Sequence, residues 1–163
     1  MKPVGRLRKE RKQTMNDFER TALDYFEKGY NCSQAVFTTY AKTMGFDEGL
    51  ALRVATQFGG GARKGEMCGA VSGALMVLGL KYGHDRFGDT DQKSRAYAIS
   101  EQFMDRFIAE NGSVVCRNLL GYDICVPADK LKINELGLFK TVCPKMIASA
   151  ARILGEMIEE IGE

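Results

Sequence analysis

Four cysteines, Cys32, Cys68, Cys116 and Cys143, each stand where the neighbouring residues begin a helix. Asn31 can cap the helix that Cys32 enters, with Gln34 placed to close a capping box. Cys68 opens an apolar run, Cys116 follows the candidate cap Ser113 by three residues, and Cys143 precedes Pro144, a residue suited to a first helical turn. Unpaired N–H groups and the positive end of the helix dipole favour negative charge. The sequence therefore predicts thiol pKa values lowered from about 8.5 toward neutrality or below. Thiolates attack disulfides and bind metals, so three chemistries are open. They are electron transfer through a Cys-ligated iron–sulfur cluster, cofactor-free thiol–disulfide exchange, and a closed structural zinc site made of four cysteine sulfurs. The separations of 36, 48 and 27 residues match no compact C-x-x-C signature, so only the fold can bring these sulfurs together. A single free cysteine is ordinarily a small buried hydrophobe, but four at helix starts are harder to ascribe to packing. Cys125 has no cap beside it and is the odd one out.

The elements that must carry these residues read as helices throughout. Met15, Phe18, Ala22, Tyr25 and Phe26 recur at helical spacing and stop at Gly29, and the helix capped by Asn31 should end near Gly45. Asp47 caps a third helix, whose expected buried stripe is Leu50, Ala51, Val54, Ala55 and Phe58, closed by Gly59-Gly60-Gly61. The stretch near residues 68–81 is apolar on nearly every side, the mark of a helix surrounded by others. A long helix over about 90–110 uses Ala96, Ile99, Phe103, Met104 and Phe107, and a last one from Pro144 carries a continuous stripe to Ile161. Between them, Tyr122 to Lys140 shows only a short helix after Pro127. The expected fold class is all-α, a single-domain bundle of about six helices.

Composition narrows the setting. Hydrophobic residues at 45% and charged residues at 27% exclude a disordered or fibrous chain. Residues 1–12 hold six Lys or Arg and one Glu, so a basic, disordered tail over 1–13 and a helical redox domain over 14–163 are expected. No aromatic residue is interleaved in that tail to stack on bases, which makes nucleic-acid binding a weak reading. The basic start lacks the apolar core of a secretory signal, and the longest apolar stretch is too short for the roughly 30 Å of bilayer hydrocarbon. A cytoplasmic address without membrane insertion is expected, with a protein redox partner and with a homodimer left open. An odd number of five cysteines fits reduced or metal-bound thiols better than a disulfide framework.

Other motifs are weaker. Gly59-Gly60-Gly61-Ala62-Arg63-Lys64-Gly65-Glu66 has Glu66 where a phosphate loop needs Lys and then Ser or Thr, and a helix precedes it. Arg63 and Lys64 either offset nearby thiolate charge, orient an anionic substrate, or lie in a solvated loop. His84, the lone histidine, falls past a helix C-terminus and reads as a surface residue.

The run Met67-Cys68-Gly69-Ala70-Val71-Ser72-Gly73 resembles the C-G-A-x-x-G hallmark of the C_GCAxxG_C_C family. Gly29-Tyr-Asn-Cys-Ser-Gln-Ala35 is similar to the family's upstream cysteine motif, and Cys116 and Cys143 to its two downstream members. The resemblance covers roughly residues 17–160 and implies redox activity at four cysteines, without naming a substrate. A similar region is found in split-Soret cytochromes, where an iron–sulfur centre accompanies haem; with no C-x-x-C-H here, haem attachment is not supported. Gly69 and Gly73 lie on one helical face, so a second helix or an inorganic cluster can approach closely; both are therefore candidate cofactor-binding positions.

Overall fold

The structure, a computed structural model, describes residues 15–162; the expected basic tail lies outside them. Six main helices form the body: α1 (Asp17–Glu27), α2 (Cys32–Thr43), α3 (Glu48–Ala55), α4 (Gly69–Tyr82), α5 (Thr90–Asn111) and α9 (Cys143–Ile161). Three more follow between α5 and α9: α6 (Cys116–Leu120) is the expected short turn at Cys116, α7 (Pro127–Glu135) the expected helix after Pro127, and α8 (Leu138–Thr141) falls where the sequence left the chain unassigned. The expected all-α domain is what forms, with no strand among the described residues.

Local chemistry sets most boundaries. Asn31 Oδ1 accepts from Gln34 N at 2.9 Å while Gln34 Oε1 accepts from Asn31 N at 2.9 Å, the expected capping box. Asn16 and Glu19 make the same pair at the start of α1, and Asp47 caps α3 through Leu50 N at 2.7 Å. Pro144 lies in the first turn of α9, and Gly112 ends α5 in a left-handed conformation.

Helix α4 is the centre, buried from Gly69 to Ala74 and again at Val77 and Leu78. It packs most heavily on α2, and also against α5 and α9. A Cβ at Gly73 would stand 2.7 Å from Ser33 O, so the two helices touch backbone to backbone, side by side and in the same direction. Helix α1 packs on α9 and runs opposite to it: Phe26 near its end lines one cavity with Met146, and Asp17 at its start lines another with Gly155 and Glu159. Phe103, Phe107, Ile147, Leu154 and Met157 are fully buried in the common core. A second, smaller core gathers Leu120, Ile133 and Phe139 from α6, α7 and α8 with Cys116 and Cys143.

Two local expectations are corrected. On α3 only Ala51 and Ala55 of the expected stripe are buried, whereas Leu50 and Val54, and Phe58 just beyond the helix, are exposed, so the face turned to the core carries only small side chains. Met15 precedes α1 and is exposed rather than part of its stripe. Among the described residues no helix is long and apolar enough to cross a membrane.

Candidate functional site

All four cysteines reach one place. Cys32 is the first residue of α2, Cys116 of α6 and Cys143 of α9, while Cys68 is the residue that caps α4. All four line a single cavity of about 320 Å³, with apolar walls from residues such as Phe26, Leu119, Phe139 and Met146. The cavity lies on the seam between the two cores: Cys32 and Cys68 pack with the main one, Cys116 and Cys143 with the smaller. All five cysteines are free.

Three devices set this geometry. The first is a backbone clasp in which Cys68 N donates to Val114 O at 2.7 Å and Cys116 N donates to Glu66 O at 2.6 Å, around an isolated antiparallel bridge between Met67 and Val115. It holds Cys68 and Cys116 diagonally across one bridge, on the same face of the paired segments, although 48 residues separate them. The second is Gly69, where a Cβ would overlap the sulfur of Cys32 and crowd Phe58 O at 3.1 Å. The third is Gly59, where a Cβ would sit within 2.7 Å of three atoms of the Asn31 side chain, the cap of the helix that carries Cys32. Ser113, expected to cap the short helix of Cys116, instead accepts from Val115 N at 3.0 Å within a turn; Val115 holds the cap position and makes no side-chain bond.

The electrostatics reverse the expected thiol acidity. Burial pushes Cys68 well above the ordinary thiol value, with the nearby charge of Cys32 adding to it and the N–H groups of Ala70 and Val71 opposing it. Cys116 is pushed up to about 11 by burial, then by Cys32 and Asp123, against the pull of Arg63 and Arg117. Cys143 is pushed up to about 12 by burial, then by Cys32 and Cys116. The magnitudes explain the outcome. A helix terminus contributes roughly 0.3–1 kcal/mol, less than one pKa unit, whereas desolvation of a buried group can supply several units. At neutral pH these three side chains are thiols. Cys32 acts on each of the other three, which is an electrostatic signature of the same convergence.

The loop before α4 holds what the sequence did not reveal. Gly60, Gly61, Ala62 and Arg63 have φ of 62°, 61°, 54° and 63°, one turn wound left-handed. The turn returns Arg63 to the cavity wall, and a Cβ on Gly60 would stand 2.9 Å from Arg63 Nη1. The glycine run signalled a break in α3, but not the hand of the turn after it. Cys125 is exposed and does not line the cavity; its sulfur lies 3.7 Å from Arg63 O. His84 is exposed beyond the end of α4, away from the cavity lining.

Among the described residues, no group of three or more His, Cys, Asp or Glu side chains could hold a metal ion. All four cysteines nevertheless line the same cavity. The donor chemistry fits an iron–sulfur cluster, which takes four cysteine sulfurs and occupies the space between them. Four cysteine sulfurs are equally the donor set of a closed zinc site, which demands a tighter approach. Tetrahedral Zn–S bonds of about 2.3 Å would draw the sulfurs to roughly 3.8 Å from one another.

An all-helical domain that brings four cysteines from four helix starts onto one apolar cavity defines a class of cysteine-centred helical protein. Comparison with known families then gives a match over residues 30–157 to the C_GCAxxG_C_C family, described as "Putative redox-active protein". The match covers most of the chain, which belongs to this redox-active family. No curated protein and no solved structure is matched.

Proposed function

We propose that the protein is an electron-transfer module in which Cys32, Cys68, Cys116 and Cys143 hold an iron–sulfur cluster. The observation that carries this reading is the single apolar cavity lined by all four cysteines. When bound, the cluster would supply a centre that accepts one electron and returns it.

The chain's own residues prepare the place. The cysteines provide four sulfur donors, and binding would displace their protons, since metal coordination deprotonates a thiol outright. The N–H groups of Ala70 and Val71 face the sulfur of Cys68 and stabilise negative charge on it. Apolar walls limit the water around the sulfurs, most of all around buried Cys68 and Cys116, and low polarity strengthens each remaining electrostatic contact. Gly69 and Gly73 leave room for Cys32 and for close contact of α2 with α4.

The raised thiol pKa values weigh against cofactor-free exchange, because a neutral thiol is a poor nucleophile toward disulfides. They suit ligands that ionise on binding. A cytoplasmic setting, supported by five free cysteines, and separate donor and acceptor proteins that dock at the cavity mouth complete the proposal.

The test is anaerobic purification and reconstitution, followed by assays of iron, acid-labile sulfide and visible absorption. Stoichiometric iron and sulfide that are lost together in Cys68→Ser and Cys116→Ser support the cluster. Their absence from the wild-type protein after reconstitution overturns it. One zinc per chain with no absorption change on reduction would identify a structural site instead.

A further inference from the structure

We infer that Arg63 sets the reduction potential of the four-cysteine centre, held at the cavity wall by the left-handed turn Gly60–Arg63. This rests on the reading of the cavity as a redox centre and adds to it the residue that tunes the electron's energy.

Three observations converge on Arg63. It lines the cavity with the four cysteines and curls over Gly60, which lines it as well. Among the described residues it makes no ion pair, whereas Arg117, the other cation near Cys116, is committed to Glu66 through two hydrogen bonds of 2.8 and 3.1 Å. Its backbone is held in the left-handed region together with that of Ala62, a conformation that a residue with a Cβ rarely adopts. Neighbouring chain over-determines that conformation. Glu66 N donates to Gly61 O at 3.1 Å, and a Cβ on Gly61 would meet Cys116 Cβ at 2.9 Å, so the turn is wedged against the segment that carries the third cysteine. The same guanidinium lowers the pKa of Cys116, as a nearby positive charge must.

The consequence is electrostatic. One electron delivered by a one-electron donor adds one negative charge to a centre inside apolar walls, with no bond made or broken. The uncommitted positive charge of Arg63 stabilises that added charge, while Asp123, which acts on Cys116 in the opposite sense, disfavours it. Arg63 therefore raises the potential, and screening by salt weakens its effect.

The experiment is a spectroelectrochemical titration of reconstituted protein, with viologen mediators, at low and high ionic strength. Iron and sulfide per chain are measured first for the wild type, Arg63→Gln, Arg63→Lys and Lys64→Gln. The expected result is equal loading, a lower midpoint potential in Arg63→Gln, recovery of most of the shift in Arg63→Lys, and no change in Lys64→Gln. The wild-type potential should fall with salt more than that of Arg63→Gln. Equal loading with unchanged potential, or a wild-type potential insensitive to salt, overturns the role of Arg63 while leaving the cluster in place. Absence of iron and sulfide from the wild type overturns the cluster reading itself, and Arg63's role falls with it.

Discussion

Cys32 and Gly69 compete for one volume, and the glycine's missing side chain is what lets the sulfur enter it. Gly69→Ala should improve the intrinsic helix propensity of α4 yet push Cys32 away from the cavity. We expect reconstituted iron to fall to about a tenth of the wild-type level, the scale of loss seen when groups supporting a metal ligand are removed, with helical circular dichroism retained. Ala62 poses the opposite case, a side chain held where glycine would be at ease. Ala62→Gly should raise the stability of the protein by about 0.5–1 kcal/mol in urea unfolding, the relief of left-handed strain exceeding the entropy gained by the unfolded chain. A loss of stability instead would show that this turn is not strained.

Helices α2, α4 and α9, together with the short α6, direct their N-terminal ends at the same cavity. Their dipoles add there and favour an anionic occupant, although burial prevails over them for the empty thiols. Asn31 is the most exacting of the residues that set these helix starts: its side chain accepts from Gln34 N and donates to Thr56 O at 2.8 Å, tying α2 to the loop that follows α3. Asn31→Ala should cost roughly 1–2 kcal/mol by chemical denaturation and loosen the anchoring of Cys32. Thermal melts with and without bound iron should then differ less than they do for the wild type. The capping box of Asn31 and Gln34, Pro144 and the apolar α4 were legible because they are local patterns of a few residues. The clasp between Glu66–Cys68 and Val114–Cys116 was not, because it pairs two stretches whose side chains carry no strand alternation.

At the scale of the molecule, two cores meet on a seam, and the cysteines lie on it in pairs. Burial pushes Cys116 up to about 11 and Cys143 up to about 12 from an ordinary value of about 9, so folding holds their protons. A group whose folded pKa is raised stabilises the fold below its unfolded value, and that contribution fades as pH climbs toward the folded one. The metal-free protein should therefore lose melting temperature between about pH 9 and pH 12, and Cys116→Ser with Cys143→Ser should flatten that decline. A melting temperature constant across this range would refute the burial of neutral thiols. By itself, the sequence determined the main helices, the caps Asn31 and Asp47, the buried central helix and the start of a helix at each cysteine, since all of these follow from contacts within a few residues. Only the tertiary structure decided that the four starts share a cavity, that burial outweighs the helix dipoles, and that a left-handed turn brings Arg63 to the wall. Each of these depends on distances between segments far apart in the chain, and on water excluded by their packing, which no local pattern encodes.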